Sequence, residues 1–398
     1  MKLVRTALIG ASALSLAACA TTGQLAGADA ASDQVAASAT SQDAAHDALF
    51  ALFEDADERS LALNPMSALF RGDMRYADRL GDYLTDEYSD ASRADAELNL
   101  RRLGQIDRSA LNETDQLAYD VFEYDQRQAL KALAPDLLAV TEVRPVNHFS
   151  GFHTFYPGFA SGQSAAPFDT VEDYENNLKR HQNYVELNDR AIARFREGLA
   201  SGVLETQLTI GNVISQLDTQ LAMDIDDSPF WMPVTNFPDD FSEADKSRLT
   251  TEYRASIADI YAAHERMRDF LRDEYYPKAR SSVGLGQMKG GPALYRQLIE
   301  DTTTLPLTAD YLHNLGLSEV ARIKTALEEI KDEVGFSGTL NEFFDYVRTD
   351  AQFKPASREA LTQTYYDIGK QVDAQIGDYF SLVPKTPLLI KPYEEYRE

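Results

Sequence analysis

The 398-residue sequence predicts an all-α, multi-helix fold, and three observations carry that reading. Apolar residues recur at alternating three- and four-residue steps through most of the chain, the spacing that stacks side chains along one helix face. Period-two runs, which a half-buried strand needs, are scarce. The periodic segments also end at recognisable breakers, such as Asn64-Pro65 and Gly335. No internal repeat of solenoid length is present.

Taken from the start, residues 1–18 read as an export signal. Met1 to Arg5 is short and basic, and the apolar run Thr6 to Leu16 is too short to span a bilayer permanently. Leu16-Ala17-Ala18-Cys19 then resembles the lipobox of bacterial lipoproteins, where small residues admit the signal peptidase before a cysteine that is acylated. Cys19 is the only cysteine of the chain, and it falls at this one position. Several acyl chains on one residue anchor stably, at about 0.8 kcal/mol per buried methylene. Ala20, in place of an Asp, points to the outer membrane, with the folded part in the periplasm. Residues 19–42 are rich in Ala, Ser, Thr, Asp and Gln and lack aromatics, Lys and Arg. Such a stretch cannot offset its ordering entropy by burial, so it is expected to be a lipidated, disordered tether. It would hold the body roughly 25–30 Å from the bilayer.

Residues 43–398 are expected to form one helical domain. From His46, Leu49, Leu52, Phe53, Ala56 and Leu63 make the first stripe, and Asp90 to Leu103 and Glu113 to Leu133 are amphipathic. Tyr184, Leu187, Ala191, Phe195 and Leu199 make another. The clearest runs from Leu249 to Tyr275 through Tyr253, Ile257, Ile260, His264, Met267 and Leu271. Val320, Ile323, Leu327, Ile330 and Val334 follow, then Leu361, Tyr365, Ile368, Val372, Ile376 and Phe380. Val140 to Val146 and Thr206 to Ile214 fit either short strand or loop. Val143 to Pro167 and Asp224 to Asp240 are expected to be irregular, as functional loops or as packed covers. After Pro384 and Pro387, Leu388 to Lys391 reads as a minor β-strand without an obvious partner in the chain, which suggests a truncated sequence.

Charge and composition exclude more than they assign. With 38 Lys and Arg against 64 Asp and Glu, the formal charge is −26, a field that repels nucleic acid. One cysteine excludes a disulfide framework and Cys-based metal sites. His264-Glu265-Arg266-Met267-Arg268 has the start of a zinc-peptidase helix, but Arg268 stands where the second histidine should be, and His264 sits on the apolar stripe. His148 and His153 are five residues apart; His46, His181 and His313 are isolated. There is no Gly-x-Ser-x-Gly elbow and no P-loop, and Gly284 to Gly290 has the wrong spacing for a dinucleotide loop. No catalytic or metal-ligating residue is assigned.

One stretch carries a family resemblance. Glu274-Tyr275-Tyr276-Pro277-Lys278-Ala279-Arg280 leads to Gly290-Gly291-Pro292-Ala293-Leu294-Tyr295, then to Thr302-Thr303-Thr304-Leu305-Pro306-Leu307-Thr308 and Leu315-Gly316-Leu317-Ser318-Glu319-Val320. With Gly198-Leu199-Ala200-Ser201-Gly202 and the closing Pro384 to Tyr393, this resembles the bacterial family named domain of unknown function 885, over roughly His46 to Glu398. The resemblance implies a helical architecture similar to gluzincin-type zinc peptidases. It also implies a lipoprotein hydrolase acting on peptides, with a His-Glu and His-His metal motif downstream of the region seen here. No position in this chain matches that motif, so zinc is expected only of a longer family member. The competing expectation is a non-catalytic helical binding or scaffold lipoprotein. The residues have readings of their own as well. Gly290-Gly291 is a turn before the helix that carries Tyr295, and Thr308 is an N-cap with Asp310 favoured by the helix dipole. Glu319 and Arg322 are a surface pair. Tyr295 and His313 are candidates to line a peptide channel, with packing as their competing role.

Overall fold

The structure, a computed structural model, describes residues 28–390; the expected signal, Cys19 and Lys391 lie outside the described residues. It is all-α. Among the described residues the helices are α1 (Ala28–Leu63), α2 (Pro65–Phe70), α3 (Asp86–Leu103), α4 (Glu113–Ala132), α5 (Pro135–Thr141), α6 (Phe152–Ala160) and α7 (Val171–Ser201). They continue as α8 (Gln207–Leu221), α9 (Met232–Thr235), α10 (Glu243–Asp269), α11 (Gly291–Thr303), α12 (Ala309–Glu333), α13 (Leu340–Thr349) and α14 (Arg358–Tyr379). The chain divides into two compact units after Pro306. The break follows from local chemistry: Thr304 caps α11 at φ +57, and Pro306 cannot continue a helix.

In the first unit the core is built on α7 and α10, which pack along each other. Their predicted stripes are the buried faces: Tyr184, Leu187, Ala191 and Phe195 on α7, and Tyr253, Ile257, Ile260, His264 and Met267 on α10. Leu271 and Tyr275 extend the second stripe through a π-helical turn, Phe270–Tyr275. Each long helix starts at a side-chain cap. Thr170 and Asp173 form a reciprocal capping box on α7, and Ser242 accepts from the Asp245 amide on α10. Gly202 ends α7 at φ +76, its amide donating to Gly198 O at 2.9 Å; only glycine adopts that conformation without steric cost.

Four expectations need correction. Residues 28–42, expected to be tether, form the first part of α1, which begins at Ala28. The Ala-rich composition that argues against a core is also the best helix-forming composition. Thr206 to Ile214 is neither strand nor loop: Thr206 caps α8 through the Thr209 amide, and its one β-bridge, to Arg280, is isolated. The irregular stretch Val143 to Pro167 contains α6 with Pro157 inside it. Proline deprives the His153 carbonyl of its intrahelical donor, and Gln220 Nε2 of α8 supplies the bond instead, at 2.8 Å. Finally, Leu388 to Ile390 is not a strand. It lies against α14, where Ile390 and Leu388 crowd Gly369 and the Tyr366 hydroxyl donates to Ile390 O at 3.2 Å. A side-chain seat on a helix replaces the missing ladder.

The second unit has the predicted helices but not the predicted burial. Thr308 caps α12 and Thr339 makes a capping box on α13, yet only Leu340, Phe343 and Gly369 are buried among residues 307–390. Val320, Ile323 and Ile330 on α12 and Val334 just after it are exposed, as are Leu361, Tyr365, Ile368 and Val372 on α14. Glu319 and Arg322 pair at 2.8 Å, as the spacing implied.

Candidate functional site: a three-helix groove

Three amphipathic helices make the site. The floor helix α3 packs against both α1 and α4. Helices α1 and α4 close on each other chiefly at one end, around the buried Leu49, Leu52, Leu103 and Leu111 and the Phe53–Phe122 ring contact at 4.8 Å. Along and beyond that contact the three helices leave a groove of about 750 Å³. Its α1 wall is Phe53, Ala56, Asp57, Ser60 and Leu63, and its floor is Ser92, Asp95, Ala96 and Asn99 of α3. The α4 wall is Thr114, Leu117, Ala118, Val121, Phe122, Asp125, Gln126 and Ala129, one helix face at three- and four-residue steps. Leu117 and Val121 remain 63% and 52% exposed, so the wall offers apolar surface to a ligand.

The floor is a fixed polar platform. Asn99 is buried and donates to Asp95 Oδ2 at 3.1 Å and to Gln126 Oε1 at 3.0 Å. The Arg59 guanidinium reaches over from α1 to bond Asp95 and Asn99, which neutralises one carboxylate. Asp57 pairs with Arg71 at the rim, whereas no ion pair of Asp125 is found among the described residues. None of the residues lining the groove is Lys, Arg or His. The groove is therefore apolar on its walls, hydrogen-bonding on its floor and net negative.

The sequence-derived candidates lie elsewhere. Tyr295 is half-exposed on α11 in the first unit, and His313 is exposed on α12 in the second, so neither unit holds a channel lined by both. The two stretches expected to be irregular are mostly packed covers, since Tyr156, Phe159, Phe230 and Trp231 join the core. Their outer parts, within Ser161 to Pro167 and Met232 to Asn236, meet with Phe168, Asp169 and Tyr174 along a second, polar cleft of about 520 Å³.

Among the described residues, the histidines do not fit zinc. His153, His181 and His264 are buried, and each commits Nε2 to a protein partner: Gln216 at 2.8 Å, Asn177 at 3.2 Å and the Tyr184 hydroxyl at 2.8 Å. His181 accepts there from the Asn177 amide, so its Nδ1 donates to Ser256 at 2.9 Å. Burial pushes the pKa of His181 and His264 down to about 3 and lowers that of His153, which makes them neutral core groups. His148 packs its ring on Phe149, and His46 bonds Asp115 at 2.9 Å. Among the described residues no group of three or more His, Cys, Asp or Glu side chains converges as a ligand set.

Comparison with known proteins places this architecture. The family model described as a bacterial protein of unknown function, DUF885, matches residues 65–398. The chain belongs to the DUF885 family. A crystal structure described as a candidate lipoprotein from Colwellia psychrerythraea has a similar fold, with a TM-score of 0.74 at 18% identity. The match covers 87% of this chain and 62% of that one, so this DUF885 chain spans less than two thirds of its structural neighbour. No curated protein matches. Among the described residues no helix is long and apolar enough to cross a membrane.

Proposed function

We propose that this chain is the N-terminal, substrate-walling portion of a zinc-metallopeptidase-like hydrolase that acts on peptides in the periplasm. Acylated Cys19 would hold it in the cell envelope, at the outer membrane. The observation that carries the reading is the state of residues 307–390. Helices α12 and α14 keep full amphipathic stripes, yet almost nothing there is buried. Amphipathic faces of that extent gain their stability from being covered. The family resemblance supports further protein as the cover, and the greater length of the structural neighbour agrees with it. Because the described residues do not fit zinc, the metal would be held by residues outside them. The part left to this chain is to bind and orient the peptide.

The test starts with the genomic reading frame past codon 398. A longer product that binds one zinc, hydrolyses peptides and protects α12 and α14 from hydrogen exchange supports the reading, while residues 19–398 alone show neither zinc nor hydrolysis. A stop directly after codon 398, with a folded product inert towards peptides, overturns it in favour of a scaffold lipoprotein. The anchor has its own assay: Cys19→Ser should move the protein from the membrane to the soluble fraction.

A further inference from the structure

We infer that the groove between α1 and α4 is a binding site for an extended peptide that carries Lys or Arg beside bulky apolar residues. It rests on the reading above only in calling that ligand a substrate. The occupant follows from the chemistry of the walls.

Charge comes first. The lining includes Asp57, Asp95 and Asp125 and no cation, and the whole chain carries −26. Two guanidinia stand nearby and both are spent, Arg59 on Asp95 and Asn99 and Arg71 on Asp57 at the rim, which leaves Asp125 as the lining carboxylate without an ion pair found among the described residues. With those two pairs neutralised, Asp125 leaves a net negative site, which disfavours an anionic ligand and offers a cation an attraction that salt weakens. Charge alone would suit a small polyamine, but the walls demand more. Val121 and Leu117 stand exposed along the same face as Asp125, one and two helical turns away. A ligand that covers them while pairing with Asp125 must alternate cationic and apolar groups over that distance. Peptide backbone also has donors and acceptors for the Ser60 and Ser92 hydroxyls above the Asn99 platform.

Length agrees with an extended chain. Thr114 and Ala129 bound the lining along α4 fifteen residues apart. That is about 22 Å of helix, which about seven extended residues span. The Phe53–Phe122 contact falls midway along that span, where the two walls come nearest.

The experiment uses residues 19–398 and fluorescence anisotropy with two labelled heptapeptides, Ala-Leu-Lys-Phe-Ala-Lys-Leu and its counterpart with Glu for Lys. The basic peptide should bind about tenfold or more tightly than the acidic one, and weaken roughly threefold or more between about 50 and 300 mM salt. Asp125→Asn should cost about three- to tenfold and Val121→Lys should abolish binding; both residues are exposed, and circular dichroism checks that the fold persists. Asp239→Asn, an exposed acid outside the groove, should change nothing. Equal binding of the two peptides, or binding that survives Val121→Lys, overturns the inference. So does displacement by spermidine as effective as by unlabelled peptide, which would reduce the site to charge alone. Hydrolysis is not read here, so a failure of the hydrolase reading leaves these outcomes distinct.

Discussion

The two units of this chain carry helices of equal sequence quality and opposite fate. Phe195 of α7 and Ile323 of α12 each sit mid-stripe on a long, well-capped helix, but Phe195 is fully buried against Tyr275 and Ile323 is 47% exposed. A helical stripe records that a face is meant to be covered. It does not record by what. In the first unit the cover is a neighbouring helix of the same unit; in the second, the described residues do not supply one.

The largest effects should separate the units most cleanly. Phe195→Ala should destabilise the first unit by about 3–5 kcal/mol, the range for emptying a buried aromatic site. Ile323→Ala should stay within about 0.5 kcal/mol, as for a surface change. Urea denaturation followed by circular dichroism measures both, and a large cost for Ile323→Ala would break the comparison.

Acid should sharpen it further. The folded-state pKa values of His181 and His264, about 3, lie below the unfolded value near 6.5, so the unfolded chain takes up protons first. Stability of the first unit is therefore full above pH 6.5 and falls as the pH drops towards 3, by at most about 1.4 kcal/mol per pH unit for each histidine. Trp231, the single tryptophan, lies in this unit and reports the transition by fluorescence. A urea midpoint unchanged between pH 7 and pH 5 would show these imidazoles not to be buried as neutral groups.

A smaller effect is expected at the caps. Thr308→Ala removes the hydroxyl that accepts from the Tyr311 amide at 3.2 Å, worth about 1 kcal/mol. On a helix with so little packing, amide exchange across the first turn of α12 should speed up about fivefold. The equivalent Thr170→Ala on α7 should be masked by the surrounding core, and equal exchange responses would contradict that difference.

How far the sequence reveals this molecule follows the same line. The stripes of α7, α10 and α12 and the cap at Thr308 are local features, written in spacing and in side-chain oxygens, so those helices are legible; Thr206 caps α8 in the same way, yet its segment read as strand or loop. Ala28 to Gln42 is not, because a helix without an apolar face leaves no periodic signal. Nor is the groove. It arises because α3 bridges α1 and α4 while they splay, a relation between segments about fifty residues apart, and Asp125 is one of 64 acids with nothing local to distinguish it. Leu117 and Val121 read as ordinary stripe positions until their exposure is known. The strand expected at Leu388 to Lys391 failed for the converse reason: a short apolar run does not name its partner, and here Leu388 and Ile390 touch α14 at Gly369 while Leu388 and Leu389 stay largely exposed.

The bond from Gln220 to the His153 carbonyl binds two distant positions into one evolutionary unit. Residue 157 creates a vacancy in the ladder of α6 and residue 220 fills it from α8. Were position 157 to regain an amide hydrogen, selection on the carboxamide at 220 would relax; were 220 to lose its donor first, the proline would become a liability. Relatives of this chain should therefore exchange the two residues together, or keep both.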